Sequence, residues 1–269
     1  MRPLKGERLE LGLPSGTVLG QEVWHYHEVD STNEVCKDLA ASGVPEGCCV
    51  VADGQTGGRG RLGRTWFSPP GEGLYLSCLL RPQLSPEALP LCTLMAGGAT
   101  ARALVGATGA DVRLKWPNDL TVEEKKLGGI LTELLTPPGE TPAVVVGIGI
   151  NVTTPPEAFP PDLATIAISL LQATGRAFER VALLKAILLE LGGAYSAFRQ
   201  EGPTAVLAAW RAFATTLGQR VLVTMTDGTV EGEAVSLTET GHLVVQTAEG
   251  HEVEVLAGDV VHLRIGPPP

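Results

Sequence analysis

Three arginines and four glycines lie close together in one short segment, residues 55–66. Arg59, Arg61 and Arg64 fall within six residues, and the segment contains no acidic residue. Glycine N–H groups and guanidinium groups are donors that bind phosphate or carboxylate oxygens. The segment therefore predicts an anion-binding loop. Taken alone, it has a plainer alternative, which is a solvated basic turn.

The glycines of this segment also match the spacing of a dinucleotide-binding loop. Gly58, Gly60 and Gly63 satisfy G-x-G-x-x-G after a predicted strand. In that fold a helix begins directly after the glycines. The sequence Thr-Trp-Phe-Ser-Pro-Pro-Gly at residues 65–71 disfavours a helix, because proline removes a backbone donor and clashes with the preceding turn. The spacing therefore does not predict a Rossmann fold here.

Two further motifs place cations and a carboxylate beside tight turns. Lys115-Trp-Pro-Asn-Asp119 is followed seven residues later by Lys126-Leu-Gly-Gly-Ile130. Such a turn can supply a phosphate partner together with a Mg²⁺ ligand. Alone, Pro-Asn-Asp is an ordinary turn, and Lys125-Lys126 is an ordinary flank of a hairpin. Together with the arginine-rich segment, they favour a site for phosphate and metal.

Two more motifs have both a structural and a functional interpretation. Ser31-Thr-Asn-Glu34 predicts a capping box, with Ser31 as N-cap and Glu34 at the third helical position. The N-terminus of that helix is also suited to a small polar ligand group. Gly147-Ile-Gly-Ile-Asn151 predicts a strand with two glycines on one face. These glycines either relieve a packing clash or let a flat ligand lie against the sheet.

The hydrophobic pattern predicts the elements that would position these motifs. From residue 22 to residue 152, short apolar strands alternate with helices, and the last strand is apolar enough to be central. The predicted strands are 23–26, 48–52, 74–80, 112–116, a hairpin over 120–135, and 143–152. One predicted helix begins at residue 31, and a second spans residues 91–107.

The second half of the chain predicts a helical segment followed by a small β domain. Residues 155–161 predict a linker, and residues 162–173 and 180–199 predict amphipathic helices that end at Gly175 and Gly202. After Gly218, four short alternating strands near 220–224, 229–235, 242–246 and 251–255 are separated by Asp-Gly, Thr-Gly and Glu-Gly turns. This pattern predicts a small barrel of SH3-like size. We therefore expect two domains. The first covers residues 1–216, of which 1–21 form an N-terminal tail, and the second is the small barrel of residues 217–269.

Composition restricts the class of protein. The 269 residues are 44% apolar and 19% charged, which is enough for a packed core, and the formal net charge is −10. An acidic body repels nucleic acid. We find no uninterrupted apolar stretch that spans a membrane and no apolar signal core, so we expect a cytoplasmic protein that uses no membrane. The five cysteines contain no Cys-x-x-Cys pair and have no histidine at metal-ligand spacing, so we expect neither structural zinc nor a disulfide scaffold.

Taken together, five motifs resemble the biotin protein ligase family. The motifs are Asp30–Asn33, Gly58–Arg64, Lys115–Asp119, Lys126–Ile130 and Gly147–Asn151. They occur in that family's order and with similar gaps, and the resemblance covers about residues 22–266. The resemblance implies an α+β fold, in which a mixed sheet is flanked by helices as in class II aminoacyl-tRNA synthetases, with a small C-terminal SH3-like β-barrel. It also implies that ATP, with Mg²⁺, activates biotin as biotinyl-5′-AMP, and that biotin then passes to a lysine of a biotin carboxyl carrier protein of acetyl-CoA carboxylase.

The resemblance also implies roles for individual residues. Lys126, Arg59 and Arg61 would be catalytic, and Asp119 would bind Mg²⁺. Biotin would contact Ser31, Thr32, Asn33, Gln55, Gly58, Arg59, Gly60, Arg61, Trp66, Lys126, Gly129 and Gly147. The nucleotide would contact Arg61, Arg64, Trp66, Lys115, Asn118, Asp119, Lys126 and Asn151.

The sequence leaves two alternatives open. A lipoate or octanoate ligase or transferase shares the implied fold but typically lacks the Gly-Arg-Gly-Arg and Lys-Trp-Pro-Asn-Asp motifs. A non-catalytic adaptor would leave the basic motifs unexplained.

Some family members carry an N-terminal winged-helix repressor domain, whereas here the Ser-Thr-Asn motif begins at residue 31. We therefore expect a monofunctional ligase with no nucleic-acid partner, and a homodimer as one oligomeric form.

Overall fold

The protein is described from a computed structural model, which covers residues 6–136, 142–225 and 228–263. Two β-sheets and the helices packed against them account for its architecture. The predicted Asp227-Gly228 turn lies partly outside the described residues, and so does the end of the resemblance after residue 263. The first five residues of the predicted tail also lie outside them.

The larger sheet has eight strands, and its two central strands are almost wholly apolar. The strands are β1 (Glu7–Arg8), β2 (Glu22–Val29), β3 (Cys48–Gln55), β4 (Gly73–Leu80), β5 (Arg113–Lys115), β6 (Asp119–Val122), β7 (Lys125–Leu135) and β8 (Ala143–Asn151). Their spatial order is β1-β2-β3-β4-β8-β7-β6-β5. Among the strand pairs of the described residues in this sheet, only β2–β3 is parallel, so the sheet is mixed, as expected.

Helices cover both faces of this sheet, which explains why β4 and β8 are buried on both faces. The helices are α1 (Thr32–Ala41), α2 (Leu89–Thr108), α3 (Leu170–Thr174), α4 (Arg180–Glu201) and α5 (Pro203–Arg211). Helix α1 packs on one face against β3, β4 and β8, and α2 packs on the other face together with α4 and α5. Gly175 and Gly202 end α3 and α4 with φ of 69° and 71°, as predicted.

By length and composition alone, two helical stretches are apolar enough to cross a membrane, Pro86–Thr108 and Arg180–Glu201. In the structure 67% of the first apolar window and 39% of the second are buried. Both stretches contribute side chains to the main hydrophobic core. A core helix satisfies the same criterion, and packing accounts for both stretches.

The smaller sheet is antiparallel throughout and packs against the larger one. Its strands are β9 (Arg220–Met225), β10 (Gly228–Leu237), β11 (Leu243–Gln246), β12 (Glu252–Val255) and β13 (Asp259–His262), in the order β12-β11-β10-β9-β13. This arrangement is consistent with an SH3-like fold. Val221, Val223 and Val245 belong to the same buried cluster as the core of the larger sheet.

Two local predictions are wrong. Residues 162–169 are not helical, and α3 begins only at Leu170. The reason is that residues 166–168 run beside Lys126, whose N–H donates to the Ile166 carbonyl at 2.7 Å and whose carbonyl accepts from Ile168 at 3.0 Å. The capping box at α1 is also absent, because the Ser31 side chain makes no capping bond and Glu34 instead contacts Lys37. Helix α5 and the strands β1 and β13 were not predicted.

Candidate active site

A cavity of about 490 Å³ lies where the larger sheet, residues 57–66 and strand β13 meet. We call residues 57–66 the glycine–arginine loop. The cavity is lined by almost all of the predicted site residues: Ser31, Thr32, Asn33, Gln55, Arg59, Gly60, Arg61, Arg64, Trp66, Lys115, Asn118, Asp119, Lys126, Gly129, Gly147 and Asn151. Gly58 does not line it and instead borders a neighbouring depression formed by the same loop together with Leu131 and Glu133. These predicted residues come from five separate segments of the chain, which converge on one cavity.

One end of the cavity is lined by buried, neutral polar groups. Helix α1 begins there because β2 delivers the chain to residue 31 next to the end of β3. The backbone N–H and the hydroxyl of Thr32 both donate to Gln55 Oε1, at 2.9 and 3.2 Å. Gln55 Nε2 donates to the hydroxyl of Ser68 at 2.9 Å. These bonds fix the Gln55 amide, so this end offers preformed donors and acceptors without charge.

Asn33 lies at the same end and is held from both sides. Its Nδ2 donates to Glu133 Oε2 at 2.7 Å, and its Oδ1 lies 2.6 Å from the Ser77 hydroxyl. A side chain at Gly147 would collide with the Asn33 amide, so this glycine relieves a packing clash. Close packing is therefore one reason for the Gly-Ile-Gly-Ile pattern, although Gly147 also lines the cavity.

Trp66 lies between the two ends of the cavity. A side chain at Gly149 would collide with its indole, and a Cβ at Gly129 would lie 3.6 Å from the ring. The indole Nε1 is buried and has no hydrogen-bond partner among the described residues. A buried donor left unpaired costs about 1–3 kcal/mol. An acceptor on a bound ligand would remove that cost.

The other end of the cavity is cationic. Lys126 Nζ lies 5.6 Å from the centre of the Trp66 ring and 2.6 Å from Asp119 Oδ1. Asp119 Oδ1 accepts no hydrogen bond of suitable geometry from the described residues, so its contact with Lys126 is an ion pair rather than a directed hydrogen bond. Both side chains keep part of their surface exposed, 35% for Lys126 and 25% for Asp119. The ammonium group can therefore exchange this partner for a ligand anion.

The three arginines of the loop have different surroundings. Arg61 is the most buried, and its Nη1 lies 3.5 Å from Asn118 Oδ1 and 3.4 Å from the Gly258 carbonyl. Burial lowers the pKa of the Arg61 guanidinium, while Asp259 and Asp119 act in the opposite direction. Arg59 and Arg64 are half or more exposed, and each is paired with a carboxylate. Arg59 lies 2.8 Å from Glu34, and Arg64 contacts Asp259.

The remaining predicted nucleotide residues are held mainly through backbone groups. Asn118 Nδ2 donates to the Ile130 carbonyl at 2.9 Å, and Asn151 Nδ2 donates to the Ile168 carbonyl at 3.1 Å. Lys115 lies near His262, and burial, reinforced by the charge of Lys115, lowers the pKa of that imidazole. The two amides thus fix the strand ends around Lys126.

The structure adds residues to the site that were not among those predicted, including Ser77, Glu133, Gly149 and Asp259. Gly149 belongs to the glycine pattern that was noted, and its spacing of two from Gly147 places both on one face. Ser77 lies in the apolar strand predicted at 74–80, and Glu133 lies in the hairpin predicted at 120–135. Only the pairing of strands in the sheet brings both residues to Asn33. Asp259 comes from strand β13, which the pattern of four strands did not include.

Two family models and several curated proteins match this chain. Residues 26–151 match the model of the biotin/lipoate A/B protein ligase family, and residues 216–263 match the biotin protein ligase C-terminal domain. The chain is 36% identical over 247 residues to the bifunctional ligase/repressor BirA of Bacillus subtilis, covering 92% of this chain and 76% of that protein. It is 37% identical over 243 residues to the biotin--[acetyl-CoA-carboxylase] ligase of Mycobacterium tuberculosis, covering 88% of this chain and 87% of that protein.

A solved structure of similar fold contains ligands. The biotin protein ligase from Aquifex aeolicus, in complex with biotin and ATP, superimposes with a TM-score of 0.78 at 33% identity. The match covers 91% of this chain and 100% of that one. The likeness therefore extends over both sheets.

Proposed function

The chain belongs to the biotin protein ligase family, and from that premise we propose how its cavity carries out the reaction. The enzyme condenses biotin with ATP to form biotinyl-5′-AMP and then transfers biotin to a lysine of a carrier protein. The observation that supports this assignment of the cavity is its polarity, because one neutral polar end and one cationic end share a single space. A molecule with a neutral ring and a carboxylate fits such a space in one orientation.

The neutral end would hold the ureido ring of biotin. Thr32 and Gln55 present fixed donors and acceptors there, and Ser31 and Asn33 complete the polar surface. The indole of Trp66 would cover the apolar part of biotin, and its unpaired Nε1 is available to a ligand oxygen. Gly129 and Gly147 would line the pocket on the side of the sheet, and Gly60 would let the loop backbone come close to the ligand.

The cationic end would serve the first chemical step. A carboxylate oxygen of biotin attacks the α-phosphorus of ATP, and the bond to pyrophosphate breaks. This step brings two anions together, so it needs positive charge that is already in place. Lys126 and Arg61 supply that charge inside the cavity, and Arg59 would join them after leaving Glu34.

The nucleotide would occupy the part of the cavity near the ends of β5 and β6. Lys115 and Arg64 would face its phosphates, and Asn118 and Asn151 would hold the surrounding backbone. Mg²⁺ binds through substrate phosphates, water and one or two carboxylates. Asp119 supplies one carboxylate beside the amide oxygen of Asn118, so these residues fit an ion that is shared with ATP. When bound, the ion neutralises phosphate charge.

The second step transfers the acyl group. The amine of a carrier lysine attacks the acyl carbon of biotinyl-5′-AMP, and AMP leaves. The carrier is a biotin-accepting protein of a carboxylase, which we infer to be the carrier domain of acetyl-CoA carboxylase. We also infer that the enzyme works in the cytoplasm without a nucleic-acid or membrane partner.

Pyrophosphate release tests this function. The purified chain is incubated with ATP and Mg²⁺ and with biotin, lipoate or octanoate in parallel, with and without a biotin-free carrier domain. Of the three acids, we expect only biotin to cause pyrophosphate release. With the carrier domain present, we expect the mass of the carrier to increase by one biotinyl group. Release driven by lipoate or octanoate would assign the chain to the related ligases, and no release with any acid would refute an activating enzyme.

A further inference from the structure

A cluster of two histidines and one aspartate lies outside the cavity, on the parallel pair β2–β3. His25 and His27 are two residues apart on β2, so they lie on the same face of the sheet. Asp53 is on β3, one residue beyond Ala52, which pairs with Tyr26. His25 Nε2 and His27 Nδ1 each lie 3.2 Å from the same carboxylate oxygen, Asp53 Oδ2.

The spacing of these three atoms suits a metal ion. All three lie within 4.8 Å of one another. Each histidine nitrogen lies 3.2 Å from Asp53 Oδ2, and two ligand atoms at that separation, each bonded to Zn²⁺ at about 2.1 Å, subtend about 100° at the ion, between the octahedral and tetrahedral angles. Two imidazoles and one carboxylate also form a donor set that suits divalent transition metals better than it suits Mg²⁺ or Ca²⁺. The histidine side chains differ in exposure, 25% for His25 and 87% for His27, so solvent has access to complete the coordination.

The second oxygen of the carboxylate has a different partner. Arg180, at the start of α4, lies 3.0 Å from Asp53 Oδ1. A partner behind a metal-binding carboxylate fixes its orientation. Arg180 therefore occupies Oδ1 and leaves Oδ2 directed toward the two imidazoles.

We propose that His25, His27 and Asp53 form a binding site for a divalent transition-metal ion of the Zn²⁺ type. The ion links β2 to β3 close to where both strands enter the candidate active site. Strand β2 leads to Ser31 and Thr32, and β3 ends at Gln55, so the site clamps the two segments that form the neutral end of the cavity. The role is structural, and it is independent of how biotin or ATP binds.

Zinc titration of the full chain tests the site, without biotin or nucleotide. Calorimetry is expected to show saturable binding of one Zn²⁺, and thermal unfolding is expected to shift upward by about 5 °C at a concentration of Zn²⁺ about 100 times its Kd. His27→Ala should weaken binding by about tenfold or more. His251→Ala is the matched control, because that histidine is exposed on the smaller sheet and lies outside the cluster.

A second variant separates loss of a ligand from loss of the fold. Asp53→Asn keeps the size of the side chain and both imidazoles, and it should also weaken Zn²⁺ binding, while circular dichroism checks that the fold is intact. No saturable binding by the unmodified chain would overturn the proposal. Unchanged affinity in His27→Ala or in a folded Asp53→Asn would overturn it as well. None of these outcomes depends on ligase activity.

Discussion

Lys126 and its neighbour Lys125 have the same side chain but different surroundings. They are consecutive on β7, so they face opposite sides of the sheet. Lys125 is exposed, whereas Lys126 lies beside Asp119 and over the Trp66 ring. We predict that Lys126→Ala slows biotin-dependent pyrophosphate release by about 100-fold or more, because its charge is needed most as negative charge gathers at the α-phosphate.

The matched control for this prediction is Lys125→Ala. It removes the same charge from the exposed face and should retain most of the activity. Biotin affinity, measured separately by calorimetry, should fall much less than the rate in Lys126→Ala. Equal loss in both variants would show that overall charge, rather than position, matters. Normal pyrophosphate release by Lys126→Ala would refute the assigned role.

Individual residues were predictable where motif and chemistry coincide in a few consecutive positions. The arginines of the loop, Lys126 and Asp119 were found this way, and the structure brings them to one cavity. Glu133 and Asp259 were not found, because they reach the site only through strand pairing and through packing of the smaller sheet. Sequence also could not show that Arg59 and Arg64 are paired with Glu34 and Asp259.

At the scale of elements, the glycine–arginine loop is held by few strong contacts. Besides the long contacts of Arg61, the ion pairs Arg59–Glu34 and Arg64–Asp259 join its side chains to the surroundings, and both of these arginines are half or more exposed. Exposed ion pairs contribute up to about 1 kcal/mol each. We predict that amide hydrogens of residues 57–66 exchange quickly in the free protein and are protected when biotin binds. Equal protection with and without biotin, measured by mass spectrometry, would contradict this.

The closed form of the loop depends on Gly58. A Cβ at this position would lie only 2.6 Å from Ser68 Oγ, and it would also crowd the Trp66 carbonyl and the Gln55 amide. We predict that Gly58→Ala leaves the loop partly open, so biotinyl-5′-AMP escapes and labels lysines of an unrelated bystander protein. Streptavidin blotting of added albumin measures this labelling.

Gly193→Ala is the control for that variant, because a Cβ there meets nothing within 4 Å. It should show no bystander labelling beyond that of the unmodified chain. Bystander labelling by Gly58→Ala at the control level, with adenylate formation intact, would refute the link between loop closure and retention of the adenylate.

Elements with a strong period were predicted well, and those set by tertiary contacts were not. The apolar strands β4 and β8 and the long helices α2 and α4 follow from hydrophobic patterns. Residues 162–169 have a helical pattern as well, but backbone bonds to Lys126 hold residues 166–168 extended beside β7. Strand β13 was missed because it lies after the last turn signal in the sequence.

At the scale of the whole molecule, Trp116 connects the two sheets. It is 2% exposed, its Nε1 donates to the Gly241 carbonyl at 3.2 Å, and its backbone N–H donates to Thr216 Oγ1. We predict that Trp116→Phe lowers the free energy of unfolding by about 1–3 kcal/mol, because it leaves the Gly241 carbonyl without this donor. Urea denaturation measures this change.

The control for that prediction is Trp24→Phe, which removes a tryptophan that is only half-buried and bonds to Glu22 at 3.1 Å. Its effect on unfolding should be smaller. If Trp24→Phe costs as much as Trp116→Phe, the bond between the sheets contributes nothing specific, and the smaller sheet is held by apolar packing alone.

The charge of the whole molecule leads to the last prediction, that this chain does not bind DNA sequence-specifically. Its formal net charge is −10, so the electrostatic term of a DNA encounter is unfavourable. Several cations that could face phosphate are already paired with carboxylates: Lys37, Arg59, Arg64, Arg180, Arg199 and Arg220. The strands of the smaller sheet carry exposed acidic residues at Glu231, Glu233, Glu252 and Glu254. Fluorescence anisotropy with promoter DNA of biotin-synthesis genes, at moderate salt and with biotin present, should show only weak binding that a random competitor removes. Tight binding that survives the competitor would show that a local surface overcomes the repulsion of the whole.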